Sequence, residues 1–174
     1  MEDALLKAQL EFTPLPAKER RTPGRVKTVP GRLRIDEFAE HEEVYEFLAS
    51  LPHGEASKVL VRALLHFRDS VIDPLEKGGG KDPKLLRLAR GEMTRKQLSR
   101  SRRKLKVKNF SVRLYIDRYR EHREAYEFLK RMQEAERAAG RTIVRALLHY
   151  RDTVYRPLER RRARRAASRA QRAR

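Results

Sequence analysis

The chain has 174 residues, 43 Lys and Arg against 24 Asp and Glu, a formal net charge of +19 and no cysteine. That length allows one or two small domains, and the missing cysteines exclude disulfides, thiolate zinc sites and cysteine nucleophiles. No run of 18 apolar residues offers a membrane span, and the opening MEDALLKAQLEF lacks a signal-peptide core, so the expectation is a cytoplasmic, nucleoid- or plasmid-associated binder of polyanions.

The chain repeats itself. RLRIDEFAEHEEVYEFL (32–48) returns as RLYIDRYREHREAYEFL (113–129), and VRALLHFRDSVIDPLE (61–76) returns as VRALLHYRDTVYRPLE (144–159). Arg32 thus answers to Arg113 and Val61 to Val144, so the second copy carries a small insertion between its two stretches. Two copies are too few for a solenoid, which needs three or more units to bury its core. They point to a fused dimer of half-domains. Charge is unevenly spread: residues 32–77 carry a net −4, whereas 78–108 carry +10 and 160–174 carry +8. The expected organisation is an N-terminal arm (1–31), a first repeat (32–77), a basic linker led by glycines (78–108), a second repeat (109–159) and an arginine-rich tail (160–174).

In chain order, residues 1–11 suggest a short amphipathic helix. Four prolines and two glycines make 12–31 read as an extended, mobile arm. Residues 32–36 alternate polar and apolar, the period of a half-buried strand. Residues 113–117 alternate in the same phase, extended backward by Phe110 and Val112. Leu33, Ile35, Leu114 and Ile116 are expected to face a core; Arg32, Arg34, Arg113 and Tyr115 are expected to face the other way. A helix follows each strand, with apolar stripes Val44, Tyr45, Leu48, Leu51 and Ala125, Tyr126, Leu129, Met132. Pro52 and Gly54 interrupt the first copy; Glu134 to Gly140 is a softer break in the second. Second helices are expected over 57–72 and 141–155, capped by Ser57 and Thr142. Their buried faces are Val59, Ala63, Leu64, Phe67, Val71 and Ile143, Ala146, Leu147, Tyr150, Val154. Pro74 and Pro157 are expected to stop them. Residues 78–80 read as a hinge, with short helices at 83–90 and 93–104. The tail reads as disordered alone and helical on a polyanion.

A five-residue strand cannot satisfy its backbone alone, and two copies solve that by antiparallel pairing. The expected fold is mostly α with a short two-stranded antiparallel β-ribbon. Such a ribbon fits the major groove of B-DNA, about 12 Å wide, and arginine suits bidentate contact with guanine. Arg32, Arg34, Arg113 and Tyr115 are therefore the candidate base-contacting residues. Candidate phosphate contacts are Ser57, Lys58, Arg141 and Thr142 at the second-helix starts. Arg102, Arg103 and Lys104 of the linker and Arg161, Arg162, Arg164 and Arg165 of the tail complete the set.

Strand, helix, turn at a glycine and longer helix together resemble the ribbon–helix–helix superfamily of MetJ- and Arc-like proteins. LPHGEASKVLVRALL (51–65) resembles the helical segment of ParR-type plasmid partition adaptors, and the tandem arrangement resembles the TraY relaxosome accessory proteins. The resemblance covers the two repeats and leaves out the arm, linker and tail. It implies a tandem ribbon–helix–helix forming an intramolecular pseudo-dimer. It also implies sequence-specific binding of double-stranded DNA, in repression, partition or conjugation. The basic linker and tail depart from the simplest members. The alternative is an architectural, nonspecific DNA or RNA binder that uses those arms.

Other features carry bland readings. The matched histidines His41/His122 and His66/His149 fit packing better than metal binding. The acids Glu37, Glu40, Glu42, Glu43 and Glu46 have the spacing of an exposed helix face, with no nucleophile to serve; they leave room for a protein partner on the first repeat. Glu37 and Glu42 become Arg118 and Arg123 in the second copy, a charge inversion that would suit head-to-tail self-association along DNA. Gly78-Gly79-Gly80-Lys81 lacks the phosphate-loop spacing. No enzyme, metal or cofactor is expected.

Overall fold

The computed structural model describes residues 11–20, 25–52, 54–79, 82–90, 93–96, 106–136 and 139–172. After a 3-10 turn (Ala17–Glu19) come β1 (Val26–Arg34), α1 (Ala39–Ser50) and α2 (Ala56–Phe67). A π-helical turn (Arg68–Ile72) leads into α3 (Asp73–Lys77), then α4 (Pro83–Arg90) and β2 (Val107–Tyr115). The second half closes with α5 (Arg120–Glu136), α6 (Ala139–Tyr150), a second π-helical turn (Arg151–Tyr155) and α7 (Arg156–Arg172). No helix among the described residues is long and apolar enough to cross a membrane.

β1 pairs antiparallel with β2 of the same chain, from Val26 opposite Tyr115 to Arg34 opposite Val107. The central pair is Pro30 and Ser111, which are repeat equivalents of each other, in the same alignment that matches Arg32 with Arg113. The expected mobile arm is therefore corrected: Pro14 bridges to Tyr119, and Val26 to Gly31 belong to the strand. Pro30 is tolerated for a geometric reason. The Ile35 N–H donates to Lys106 O at 3.1 Å, which puts odd-numbered β1 residues in the hydrogen-bonded pairs. Pro30 falls in a non-hydrogen-bonded pair, where its missing N–H costs no ladder bond. Gly31 faces inward under the ring of Phe110, and a Cβ built there would stand 1.9 Å from Phe110 Cζ.

Alternation sends Leu33, Val112 and Leu114 into the core. Ile35 is buried just past β1, and Ile116 is half-buried just past β2. Beneath the ribbon lie Val59, Leu60, Ala63, Leu64, Phe67 and Val71 of the α2 rod and Ile143, Val144, Ala146 and Leu147 of α6. Burying each large apolar side chain is worth roughly 1.5–3 kcal/mol. Tyr150 and Val154 are only half-buried. On α1 the expected stripe holds at Val44 and Leu51, which are buried, and at half-buried Leu48, but Tyr45 is exposed, while His41 and Phe47 are buried as well. The rings of Tyr45 and Tyr126 instead lie under Lys108 Nζ and Lys27 Nζ, at 5.5 and 5.9 Å. Phe47 and its equivalent Phe128 fill the core positions that the stripe left out.

Neither proline stops its helix. The π turns redirect the ladder, so that Asp73 N–H reaches Arg68 O and Arg156 N–H reaches Arg151 O. Pro74 and Pro157 then sit in the first turn of the new α ladder, where an N–H has no helical partner to lose. The rods run on to Lys77 and Arg172. Ser57 and Thr142 do not cap: α2 starts at Ala56 behind Glu55 with no side-chain cap bond, and α6 starts at Ala139. Thr142 is buried inside α6 at 3% exposure. The helix expected at 83–90 forms, but Met93 to Lys96 are not helical, and Arg95 bridges to Phe38. The tail is helical through Arg172 as part of α7. The helix expected near the N-terminus lies outside the described residues but for Glu11.

Candidate nucleic-acid interface

The outward face of the ribbon reads Val26, Thr28, Pro30, Arg32, Arg34 on β1 and Val107, Asn109, Ser111, Arg113, Tyr115 on β2. Arg32 stands opposite Asn109, and Arg113 opposite Thr28. Each arginine is thus two positions from the central pair, in opposite directions. Four residues of antiparallel strand separate them by about 14 Å along the ribbon. Arg32, Arg34 and Arg113 are exposed. Arg34 lies at the ribbon end and pairs with Glu37 at 3.1 Å. Tyr115 is half-buried beside the His122 ring, 5.9 Å between centroids. Thr28, Asn109 and Ser111 share the face; the alternation over 32–36 and 113–117 does not point to them, because both strands begin well before it, at Val26 and Val107.

Helix starts hold the ribbon ends. His41 Nδ1 accepts the Arg34 N–H at 2.8 Å, and His122 Nδ1 accepts the Tyr115 N–H at 3.1 Å. An accepting Nδ1 requires a neutral ring. Burial pushes the His122 imidazole down to about 4, opposed by Glu121 and aided by Arg62. Burial also lowers His41. Asp36 accepts the Lys106 N–H and Asp117 the Arg25 N–H, both at 2.9 Å, so each repeat clasps the residue that leads into the other's strand.

The segments ahead of each strand cross over. Thr13 O accepts the Arg120 N–H, and Leu15 N–H donates to Arg118 O. Likewise Thr94 O accepts the Ala39 N–H, and Lys96 N–H donates to Glu37 O. Both oxygens of Glu121 accept the Thr13 N–H, at 2.9 and 2.8 Å; both oxygens of Glu40 accept the Thr94 N–H, each at 2.8 Å. Burial alone would raise these two carboxyls, but the threonine amides hold both below the usual range. The sequence carried a signal for this: Phe12-Thr13 and Met93-Thr94 fall in the same alignment as Arg32 and Arg113.

These arms also absorb the charge inversion between copies. Lys96 pairs with Glu42, and Arg123 pairs with Glu19 at 2.8 Å. Glu43 binds Arg151 at 2.7 Å, as its equivalent Glu124 binds Arg68 at 3.1 Å. Of the acids expected on an exposed helix face, Glu37, Glu40, Glu42 and Glu43 are thus engaged within the chain.

Of the expected phosphate contacts, Lys58 and Arg141 are exposed in the first turns of α2 and α6. Ser57 is half-buried, and Thr142 is corrected: its buried side chain cannot reach a ligand. Arg161, Arg162, Arg164 and Arg165 are exposed on α7. Arg102, Arg103 and Lys104 lie outside the described residues. Among the described residues, no three His, Asp or Glu side chains cluster to hold a metal ion. The chain matches no family model, no curated protein and no solved structure.

Proposed function

We propose that the chain is a single-chain ribbon–helix–helix pseudo-dimer. In this reading it binds double-stranded DNA by laying the β1–β2 ribbon in the major groove. The observation that carries the reading is the ribbon register. Pairing about Pro30 and Ser111 relates each strand residue to its repeat equivalent by an approximate two-fold, as a fused dimer requires. It puts Arg32 and Arg113 at equivalent places on one outward face. The paired caps His41/His122, clasps Asp36/Asp117 and ion pairs Glu43–Arg151/Glu124–Arg68 support the same relation.

Two strands about 4.8 Å apart, with side chains, fit a groove about 12 Å wide. Arginines about 14 Å apart along the ribbon reach base pairs about four steps apart, at about 3.4 Å per step. Arg32 and Arg113 read base edges, with Thr28, Asn109 and Ser111 between and beside them. The amides and cations at the starts of α2 and α6, including Lys58 and Arg141, hold the flanking phosphates. The two-fold is imperfect where it matters: Thr28 answers Asn109, Pro30 answers Ser111, and Arg34 answers Tyr115. The target is therefore an asymmetric site. Repression, partition and conjugation accessory roles all use such a ribbon.

The test is a salt-dependent titration of selected duplex DNA with RNA as competitor, comparing the wild type with Arg32→Ala/Arg113→Ala. Loss of discrimination between selected and random duplex, with nonspecific binding retained, is the expected result. Unchanged discrimination would refute the ribbon reading and favour a nonspecific architectural binder.

A further inference from the structure

Between α4 and the two rods lies a cleft of about 630 Å³. Leu85 and Leu88 of α4 line one wall; Phe67, Val144 and Leu148 line the other, with Met93 beside them. The volume falls in the range of about 300–1,000 Å³ that small-molecule sites occupy, and the walls are mostly apolar, as in such sites. Lys84, Arg87, Asp152 and Thr153 are the exposed lining residues and mark the open side.

Comparison of the repeats shows why space is left here. Met93 corresponds to Phe12, and Arg145 to Arg62. In the other half the Phe12 ring stands 4.4 Å edge-on from the His122 ring and 5.2 Å beneath the Arg62 guanidinium. A slimmer, unbranched methionine takes that place beside Arg145. Leu148 is correspondingly only half-buried, whereas its equivalent Leu65 is buried. An apolar occupant would remove this wall from water, which is favourable.

The polar lining is largely spoken for. His149 Nε2 meets the Ser70 hydroxyl, and Thr153 is bonded both to His66 Nε2 and to the His149 carbonyl. The Glu40 carboxylate holds the Thr94 amide, and Asp152 pairs with Arg151 and Arg156. Arg145 donates to the Ala89 carbonyl. Lys84 and Arg87 make no ion pair among the described residues. An occupant therefore meets apolar walls and two cations at the rim.

We propose that this cleft is a small-molecule site that takes one amphipathic carboxylate per chain. Its aliphatic or aromatic body lies among Leu85, Leu88, Met93 and Leu148, and its carboxylate is held by Lys84 and Arg87, whose guanidinium suits a bidentate contact. The site stands independently of the ribbon reading. Met93 adjoins Thr94, and Glu40, which holds the Thr94 amide, also lines the cleft. Occupancy thus tightens the arm that leads into β2.

The experiment titrates full-length protein with decanoate, below its micelle-forming concentration, by calorimetry. Decanol and decyltrimethylammonium are the neutral and cationic counterparts. Met93→Phe copies the other half, and Leu88→Trp fills the cleft from the opposite wall. Lys84→Ala/Arg87→Ala removes the rim charge, and Lys18→Ala/Lys130→Ala removes equal charge outside the cleft. Wild type should bind one decanoate, more tightly than either counterpart. Each filled variant should bind about tenfold or more weakly. The rim variant should bind about fivefold more weakly, and the control within about twofold of wild type. Decanoate should slow hydrogen exchange at Thr94 and leave its counterpart Thr13 unchanged, a readout on the wild type that needs no substitution to fold. No binding, several equivalent decanoates per chain, equal loss in the control, or wild-type affinity in both filled variants would overturn the site. Decanol binding as tightly as decanoate would overturn its preference for an anion.

Discussion

The imidazoles of His66 and His149 stack 5.2 Å apart with 18° between their planes, each Nε2 3.0 Å from the hydroxyl of Thr153 or Ser70 in the other repeat. Ser70 and Thr153 donate their own hydrogens to the carbonyls of His66 and His149. Their oxygens are thereby left to accept from Nε2–H. The pair ties the two rods together just ahead of both π turns. It holds two neutral rings, since two imidazolium charges at this distance would repel.

That arrangement makes stability depend on pH. Burial lowers all four matched histidines, with His122 near 4. The unfolded chain therefore binds more protons than the folded one below about pH 6.5. The contribution of these rings is complete above the unfolded pKa and declines as pH falls toward the folded values. Between pH 7 and pH 5 the unfolding free energy read from urea titrations should drop, by up to about 1.4 kcal/mol per pH unit for each fully responding histidine. His66→Gln/His149→Gln should flatten the decline. An equal slope in that variant would remove the stacked pair from the account.

Gly31 and Phe110 form a cross-strand pair whose repeat equivalents are Val112 and Val29, themselves paired. One half of the ribbon thus fills with ring plus hydrogen what the other fills with two valines. Gly31→Ala should destabilise by about 1–3 kcal/mol, since the ring must leave its place. Gly31→Val with Phe110→Val should recover much of that loss by copying the other half. Denaturant midpoints of the single and double variants decide it; a double variant no better than Gly31→Val alone would mean the pairs are not interchangeable.

Glu40 and Glu121 anchor the crossing arms through the amides of Thr94 and Thr13. Each alanine replacement should cost about 1–2 kcal/mol, because it removes charge-assisted hydrogen bonds at partly exposed sites. Hydrogen exchange should rise at Thr94 in Glu40→Ala and at Thr13 in Glu121→Ala, each without the other. Exchange rising in both arms together would show one cooperative unit instead.

If the proposed ribbon reading holds, Arg32 and Arg113 should answer for different half-sites. Arg32→Ala and Arg113→Ala are each expected to lose about 1–3 kcal/mol of discrimination, at different base pairs of the selected site. Selection of binding sequences with each variant would locate the relaxed positions. A strict inverted repeat relaxed identically by both would contradict the asymmetric target.

Much of this architecture was legible in the chain. Internal repetition exposed the two matched halves, and period-two alternation gave Leu33 and Leu114 their inward face and Arg32 and Arg113 their outward one. The helical stripe placed Val59, Ala63, Leu64, Phe67 and Val71 in the core, because those patterns follow from backbone geometry alone. What escaped was non-local. Pro30 and Gly31 spell a loop in local terms, yet they sit mid-strand because β2 supplies a register in which no proline N–H is needed and a ring for the glycine to face. Pro74 and Pro157 spell helix ends, yet the π turns ahead of them carry both rods onward. Thr13 and Thr94 look like arm residues until the opposite repeat presents Glu121 and Glu40. Local propensity decided which residues form each element; pairing between halves far apart in the chain decided where those elements begin, where they end and what they hold.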